Sequence, residues 1–247
     1  MKYNPFSLEN KTILVTGASS GIGKVTAIEC SKLCAKVIIT GRNEERLKQT
    51  FDLLSNNDNG FFVADLNNDS EIESLVNYLP ELDGVFFCAG ITDTTLIKFM
   101  NRDKINNILD INLISPTLLT KTLLVKKKIK KNASLVYMSS YGAEKVTPGL
   151  GIYATSKMGL LAMVHAIAKE LVSKRIRANT IMPMMVKTEL VDNITSLSKE
   201  ELKKDEDNYP LGYGDPLDVA YAAIYLLSNA SKWITGSSIK MDGGSTL

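Results

Sequence analysis

Thr12-Ile13-Leu14-Val15-Thr16-Gly17-Ala18-Ser19-Ser20-Gly21-Ile22-Gly23 decides how this chain folds. Its first five residues, apolar on both parities, read as a short strand buried on both faces. The strand runs straight into a glycine-rich turn and then into a helix. Gly17 permits a tight turn off the strand, Gly21 lets the backbone approach a pyrophosphate, and Gly23 lets the helix pack closely on the strand. The free N–H groups at the helix start then face an anion. Three glycines alone are a weak signal. Placed between a strand and a helix at the start of the chain, they point to a nucleotide site.

The same rhythm continues outward from this unit. Lys36–Thr40, Gly60–Ala64, Gly84–Phe87, Ser134–Met138, Ala178–Ile181 and Ser238–Met241 read as further buried strands. Helices are expected near 22–33, 43–55, 69–78, 102–126, 152–173 and 216–228. Alternation of this kind predicts an α/β chain, a seven-stranded parallel doubly wound sheet flanked by helices. No repeat, low-complexity stretch or linker marks a second domain, so residues 1–247 are read as one Rossmann-type domain. Residues 187–210 break the rhythm, with Ser198–Asp207 reading SKEELKKDED. Two readings stand for this segment, a solvated helical insertion and a mobile substrate lid.

Bulk properties narrow the classes of function. Of 247 residues, 45% are hydrophobic and 23% charged, ordinary values for a soluble globular protein. A net charge of +2 is too balanced to argue for nucleic acid. The opening Met1–Phe6 lacks an apolar signal region, and no apolar run approaches the ~20 residues of a membrane helix. Cys30, Cys34 and Cys88 have neither disulfide-like nor metal-like spacing, so no metal is expected. Cys30 and Cys34, four apart near the first helix, are read as packed reduced thiols. A reducing cytoplasm fits these features. His165 is the only histidine and is read as a helix-packing residue; a serine hydrolase would need it beside an exposed nucleophile, so that class is disfavoured.

The glycine spacing, Gly-x-x-x-Gly-x-Gly preceded by Thr16, resembles the short-chain dehydrogenase/reductase family over nearly the whole chain. The resemblance implies a hydride-transfer enzyme using NAD(H) or NADP(H). An NAD site usually places an acidic residue after the second strand. Here the strand ends Thr40-Gly41-Arg42-Asn43, and Arg42 suits a 2′-phosphate, so NADP(H) is expected. Asp65-Leu66 resembles the adenine contact of the family, with a helix N-cap as the competing reading of Asp65. The cofactor set expected from the turn and from the resemblance is Gly17, Ser19, Ser20, Gly21, Ile22, Gly23, Arg42, Asp65, Leu66, Ala89, Gly90, Tyr153, Lys157, Pro183, Val186 and Thr188.

Tyr153-x-x-x-Lys157 places two side chains on one face of a long helix. Free tyrosine, with a pKa of ~10, is barely ionised at neutral pH. A neighbouring ammonium and an oxidised nicotinamide ring favour phenolate, which would let Tyr153 exchange a proton with a substrate oxygen. The fifth strand ends Met138-Ser139-Ser140, at the edge that opens onto the cofactor crevice, where a hydroxyl can stabilise charge on that oxygen. The family's catalytic serine aligns with Ser140, and Ser139 is the neighbouring alternative. Asn112 matches the asparagine that supports a water-linked proton path to the lysine; its competing reading is a buried residue that satisfies backbone. Asn112, Ser140, Tyr153 and Lys157 thus complete the catalytic set implied by the resemblance.

Two places depart from the family pattern. Phe87-Cys88-Ala89-Gly90 replaces Asn-Asn-Ala-Gly, and Met184 replaces the glycine of Pro-Gly-x-Val-x-Thr. The substrate is left open: a small carbonyl or alcohol compound, with 3-oxoacyl groups on acyl carrier protein favoured. That preference rests on Lys126–Lys131 (KKKIKK) and Lys174-Arg175, because similar basic positions in 3-oxoacyl-[acyl-carrier-protein] reductases meet the acidic carrier. The competing reading is a solvated helix end. A non-catalytic NADP(H)-binding regulator is the alternative from another class. Finally, the helix after Tyr153 carries Met158, Leu160, Leu161, Met163, Val164, Ile167, Leu171 and Val172, more than one core-facing stripe. An apolar patch of that size implies burial against a second copy. The resemblance extends this to a homotetramer, with the C-terminal strand at a second interface and a homodimer as the fallback.

Overall fold

The computed structural model describes residues 3–55, 58–189 and 199–247. The seven strands are β1 (Thr12–Thr16), β2 (Lys36–Gly41), β3 (Gly60–Val63), β4 (Leu82–Phe87), β5 (Ile129–Met138), β6 (Arg177–Pro183) and β7 (Ser238–Met241). They form one all-parallel sheet in the order β3-β2-β1-β4-β5-β6-β7. The order reverses between β1 and β4, so a crevice opens between their carboxyl ends, where an open parallel sheet binds ligands.

Alternation along β1 shows how the two layers are filled. Ile13 and Val15 pack with Ala27 and Cys30 of α1 (Gly21–Lys32) and with Val219, Ala223 and Ile224 of α8 (Pro216–Leu227). Leu14 faces the other layer, which holds Leu75 of α3 (Asp69–Tyr78), Leu119 and Leu123 of α5 (Ser115–Val125), and Leu160, Val164 and Ile167 of α6 (Gly151–Leu171). Helix α2 (Glu44–Phe51) follows β2, and α7 (Lys199–Glu206) precedes α8.

The run expected as one helix at 102–126 is interrupted. Arg102–Leu109 forms α4, Asp110–Ile114 a π turn, and α5 follows. Pro116, at the start of α5, explains the break: it has no N–H for the Asn112 carbonyl and its ring would clash there. The Ser115 N–H instead reaches back to the Asp110 carbonyl. By length and composition alone Arg102–Val125 would cross a bilayer, but it is broken by this turn and packs on α3 and α6.

Three expectations about single residues are corrected. Cys34 lies past the end of α1, exposed, in the left-handed region at φ 65°, and only Cys30 of that pair is packed. His165 is exposed on α6 rather than packed. The apolar excess of α6 is mostly internal: Val164 and Ile167 are 1% and 7% exposed, because the helix packs on β6 and also on α4 and the π turn. Met158, at 43%, and Val172 are the large apolar side chains left outside.

The glycine turn sets the tightest constraint. A Cβ on Gly23 would lie 2.8 Å from the Gly17 carbonyl carbon and closer still to its oxygen; one on Gly17 would lie 2.7 Å from the Ala89 Cα. Gly23→Ala should therefore cost about 2 kcal/mol and lower the thermal midpoint by about 4–8 °C. Gly214→Ala, where the added atom meets nothing nearer than 3.6 Å, serves as the control. Equal melting of Gly23→Ala and wild type would show that the turn is not under this constraint.

Candidate active site

A cleft of about 1060 Å³ opens at the carboxyl ends of the strands. Every residue expected to hold a dinucleotide lines it, from Gly17 through Arg42, Asp65 and Ala89 to Val186 and Thr188. The residues are brought there by strand ends. The Thr16 hydroxyl accepts hydrogen bonds from the N–H groups of Cys88 and Ala89, at 3.0 and 3.2 Å, which binds the end of β1 to that of β4. The turn above is left-handed at Gly17, φ +66°, and at Gly21, φ +51°, a backbone that glycine adopts without strain and that leads into the start of α1, where helix N–H groups suit an anion. The methyl of Thr188 lies 3.5 Å from the position a Gly21 Cβ would take.

Asp65 is not a helix N-cap. Asn68 caps α3, and the Asp65 carboxylate accepts instead from the Asn67 N–H at 3.0 Å. Arg42 follows β2 directly and is exposed at the cleft rim. One helical turn further on, Arg46 lines the same wall, a residue the sequence reading passed over although its spacing from Arg42 was visible.

The polar residues on the opposite wall are sorted by their partners. Ser139 donates to the Lys157 carbonyl at 3.0 Å and is buried, which removes it from the cleft chemistry. Ser140 instead lines the cleft, accepts from the Gly142 N–H at 3.1 Å and donates to the Pro183 carbonyl at 3.5 Å, and it stands beside Tyr153: a Cβ on Gly142 would meet the Ser140 hydroxyl at 3.2 Å and the Tyr153 ring at 3.9 Å. Lys157 donates to the Met138 carbonyl at 2.9 Å, and its ammonium lies 5.9 Å from the centre of the Tyr153 ring. Asn112 is 1% exposed. Its carboxamide pairs with both backbone groups of Ile91, at 2.9 Å each, and donates to Ser156 at 3.1 Å. Asn112 therefore braces the loop after β4 and stands behind Gly90 rather than in the cleft wall: a Cβ on Gly90 would meet its oxygen at 3.1 Å and the Lys157 ammonium at 3.2 Å.

Burial governs the titration of this pair. The Tyr153 phenol is pushed up by desolvation and drawn back in part by Ser140, so burial outweighs the lowering expected from Lys157. Lys157 is brought down to about 8 because its charge is buried. Cys88, the departure from the family pattern, is pushed up to about 12 by burial and is a neutral thiol. Beyond the expected residues, Lys145, Thr94, Met185, Asp205, Asn208 and Tyr209 line the cleft. The last three belong to the 187–210 segment, of which 190–198 lie outside the described residues.

The basic cluster meant for a carrier lies elsewhere. Lys126–Lys131 leads into the amino end of β5 and Lys174-Arg175 precedes β6, so both sit at the sheet edge away from the cleft. The length of β5, roughly 30 Å at ~3.3 Å per residue, separates that edge from Ser140. Lys126 pairs with Glu73 at 3.1 Å, Lys130 with Asp83 at 2.8 Å, and Lys128 donates to the Leu79 carbonyl. Lys126, Lys128 and Lys130 thus have partners within the fold.

The family described as "Enoyl-(Acyl carrier protein) reductase" matches residues 17–246. The 3-oxoacyl-[acyl-carrier-protein] reductase of Rickettsia prowazekii is 35% identical over 96% of this chain and 97% of its own. That of Chlamydia muridarum is 32% identical over 96% and 98%. The chain belongs to the short-chain dehydrogenase/reductase family. A dehydrogenase/reductase of this type from Mycobacterium ulcerans superposes with a TM-score of 0.87 at 30% identity, covering 97% of this chain and 90% of that one. Like the rest of the family, the chain is an oxidoreductase of carbonyl and alcohol groups that uses a nicotinamide cofactor.

Burying the lysine carries a cost that depends on pH. Lys157 holds its proton less tightly in the folded chain, at about 8, than in the unfolded one, near 10.5. Below pH 8 the buried charge therefore destabilises the fold, and this penalty is relieved as pH rises from about 8 to 10.5. Lys157→Met should unfold about 1–3 kcal/mol less readily than wild type at pH 7, with the gap closing by pH 10. Thermal melts across this range check it; a variant less stable at pH 7 would refute the burial cost.

Proposed function

We propose that this chain is an NADP(H)-dependent 3-oxoacyl-[acyl-carrier-protein] reductase. The observation that carries the chemistry is that Ser140 and Tyr153 stand side by side on one cleft wall, with the Lys157 ammonium 5.9 Å from the Tyr153 ring centre. Two hydroxyls at one point suit a single oxygen whose charge grows as a carbonyl is reduced. The nicotinamide supplies the hydride for the carbonyl carbon. Tyr153 gives its proton to the carbonyl oxygen as the C=O π bond breaks, which leaves an alcohol and a phenolate. Ser140 holds the oxygen, and Lys157 stabilises the phenolate until it regains a proton from water. In the alcohol-to-carbonyl direction each step reverses. Gly17, Ser19, Ser20, Gly21, Ile22 and Gly23 would hold the diphosphate, Asp65 and Leu66 the adenine, and Ala89, Gly90, Pro183, Val186 and Thr188 the nicotinamide half. Asn112 would act as a positioning residue through Ile91.

The preference for NADP(H) rests on Arg42, and Arg46 beside it adds a second cation to that wall. The substrate class rests on the names of the relatives. Enoyl reduction is the neighbouring reading, because the family description names it. The names of the curated relatives favour the carbonyl. Other small alcohols, ketones or sugars form the broader alternative, and a non-catalytic regulator the remaining one. We further propose a single domain over 1–247, with 187–210 as a lid on the substrate side, acting in the cytoplasm. Assembly into a homotetramer, or at least a homodimer, is supported by Met158 and Ile114 on adjacent exposed surfaces and by Trp233, 96% exposed just before the edge strand β7.

NADPH oxidation with β-ketoacyl thioesters, diketones, keto-sugars and enoyl thioesters tests the reading. The β-ketoacyl thioesters should be the best substrates, and turnover of enoyl thioesters alone would replace it. Tyr153→Phe should lose ~10²–10⁴-fold in turnover while its NADPH affinity stays near wild type; more than a tenth of the rate remaining would remove Tyr153 as the acid. Arg42→Ala should lose ~10- to 150-fold in NADPH affinity but little for NADH, and an unchanged ratio would refute the cofactor assignment.

A further inference from the structure

Arg46 and Glu189 stand 143 positions apart in the chain and meet across the cleft, with the guanidinium 3.0 Å from a carboxylate oxygen. Arg46 lies in the first turn of α2, where the Asn43 cap accepts its backbone N–H, four residues beyond Arg42. Glu189 follows Thr188, which rests over Gly21 of the phosphate turn. The segment after β6 thus runs over that turn and ends on the arginine wall. Arg42, Arg46 and Glu189 all line the cleft. Both members of the pair are more than half exposed, and exposed pairs of this kind contribute little and exchange partners readily. A phosphate dianion is a stronger partner for a guanidinium than one carboxylate, because it offers more acceptor oxygens and more charge.

We propose that Arg46 is a second reader of the 2′-phosphate, and that Glu189 is the placeholder it surrenders when that phosphate arrives. The proposal rests on the NADP(H) reading given above. Its consequence has a definite sign. Glu189 competes with the phosphate for one cation, so removing the carboxylate must favour the phosphate-bearing dinucleotide and do nothing for the one without it. Had the pair instead been a clasp that stays closed over any bound dinucleotide, removing Glu189 would weaken both.

Binding of NADPH and NADH to wild type, Glu189→Gln, Arg46→Gln and the double variant, followed by nucleotide fluorescence without substrate, separates these cases. Glu189→Gln should tighten NADPH about 2- to 5-fold and leave NADH unchanged. Arg46→Gln should weaken NADPH about 10-fold or more, again without effect on NADH, and in its background Glu189→Gln should have no further effect. A preserved wild-type preference for NADPH together with no tightening, or with equal weakening of both dinucleotides, overturns the exchange and leaves the Arg42 reading intact. Equal wild-type affinities overturn both.

Discussion

The site depends on how near the backbone of the turn after β1 lies to the end of β4. With the Ala89 Cα only 2.7 Å from where a side chain on Gly17 would begin, and the Thr16 hydroxyl holding the N–H groups of Cys88 and Ala89, two strand ends become one rigid floor. The reversal of strand order between β1 and β4 opens the crevice, and this floor gives it a fixed shape. Ser140, at the end of β5, and Lys157, tied to the Met138 carbonyl, are registered against the same floor through the sheet. The chemistry is positioned by strand ends and a long helix.

That placement has an energetic cost concentrated in Lys157. Its ammonium is nearly buried, satisfied by a carbonyl and not by a carboxylate. Such a charge is unfavourable when buried without a counter-ion. It becomes useful when an anionic phenolate forms beside it, so the fold sacrifices resting stability for stabilisation of a reacting state. Cys88 fits the same logic by contrast: a neutral thiol replaces a carboxamide where the family keeps one, and the loop is held instead by Thr16 and by the Asn112–Ile91 pair.

Strands were legible because a parallel sheet covered on both faces needs residues apolar on both parities, and TILVT or KVIITG can do little else. The glycine turn and the Ser140, Tyr153, Lys157 spacing were legible because local geometry alone brings those residues to one edge. Pro116 was equally visible, yet an apolar run of this length outweighed it and the π turn was missed. The place of the lysine run was legible too. Its chemistry suited an acidic partner, but its place ahead of β5 already assigned it to the far edge, where Glu73 and Asp83 absorb part of it. Excess apolar residues on α6 were misread because the helix is covered on two sides, which periodicity along one chain segment does not reveal. Arg46 with Glu189 is a contact between distant segments that no local pattern encodes.

A thiol in an oxidoreductase cleft looks like a point of attack for peroxide, but here burial protects it. With its titration pushed up to about 12, Cys88 is a neutral thiol at neutral pH, and oxidation to sulfenic acid proceeds through the thiolate. The softer sulfurs are thioethers. Met184 and Met185 line the same cleft and are partly exposed, and no ionisation is needed for them to become sulfoxides. Oxidative damage to this catalyst would thus arrive as a polar, reversible lesion in the wall beside the reacting carbon, repairable by a methionine sulfoxide reductase.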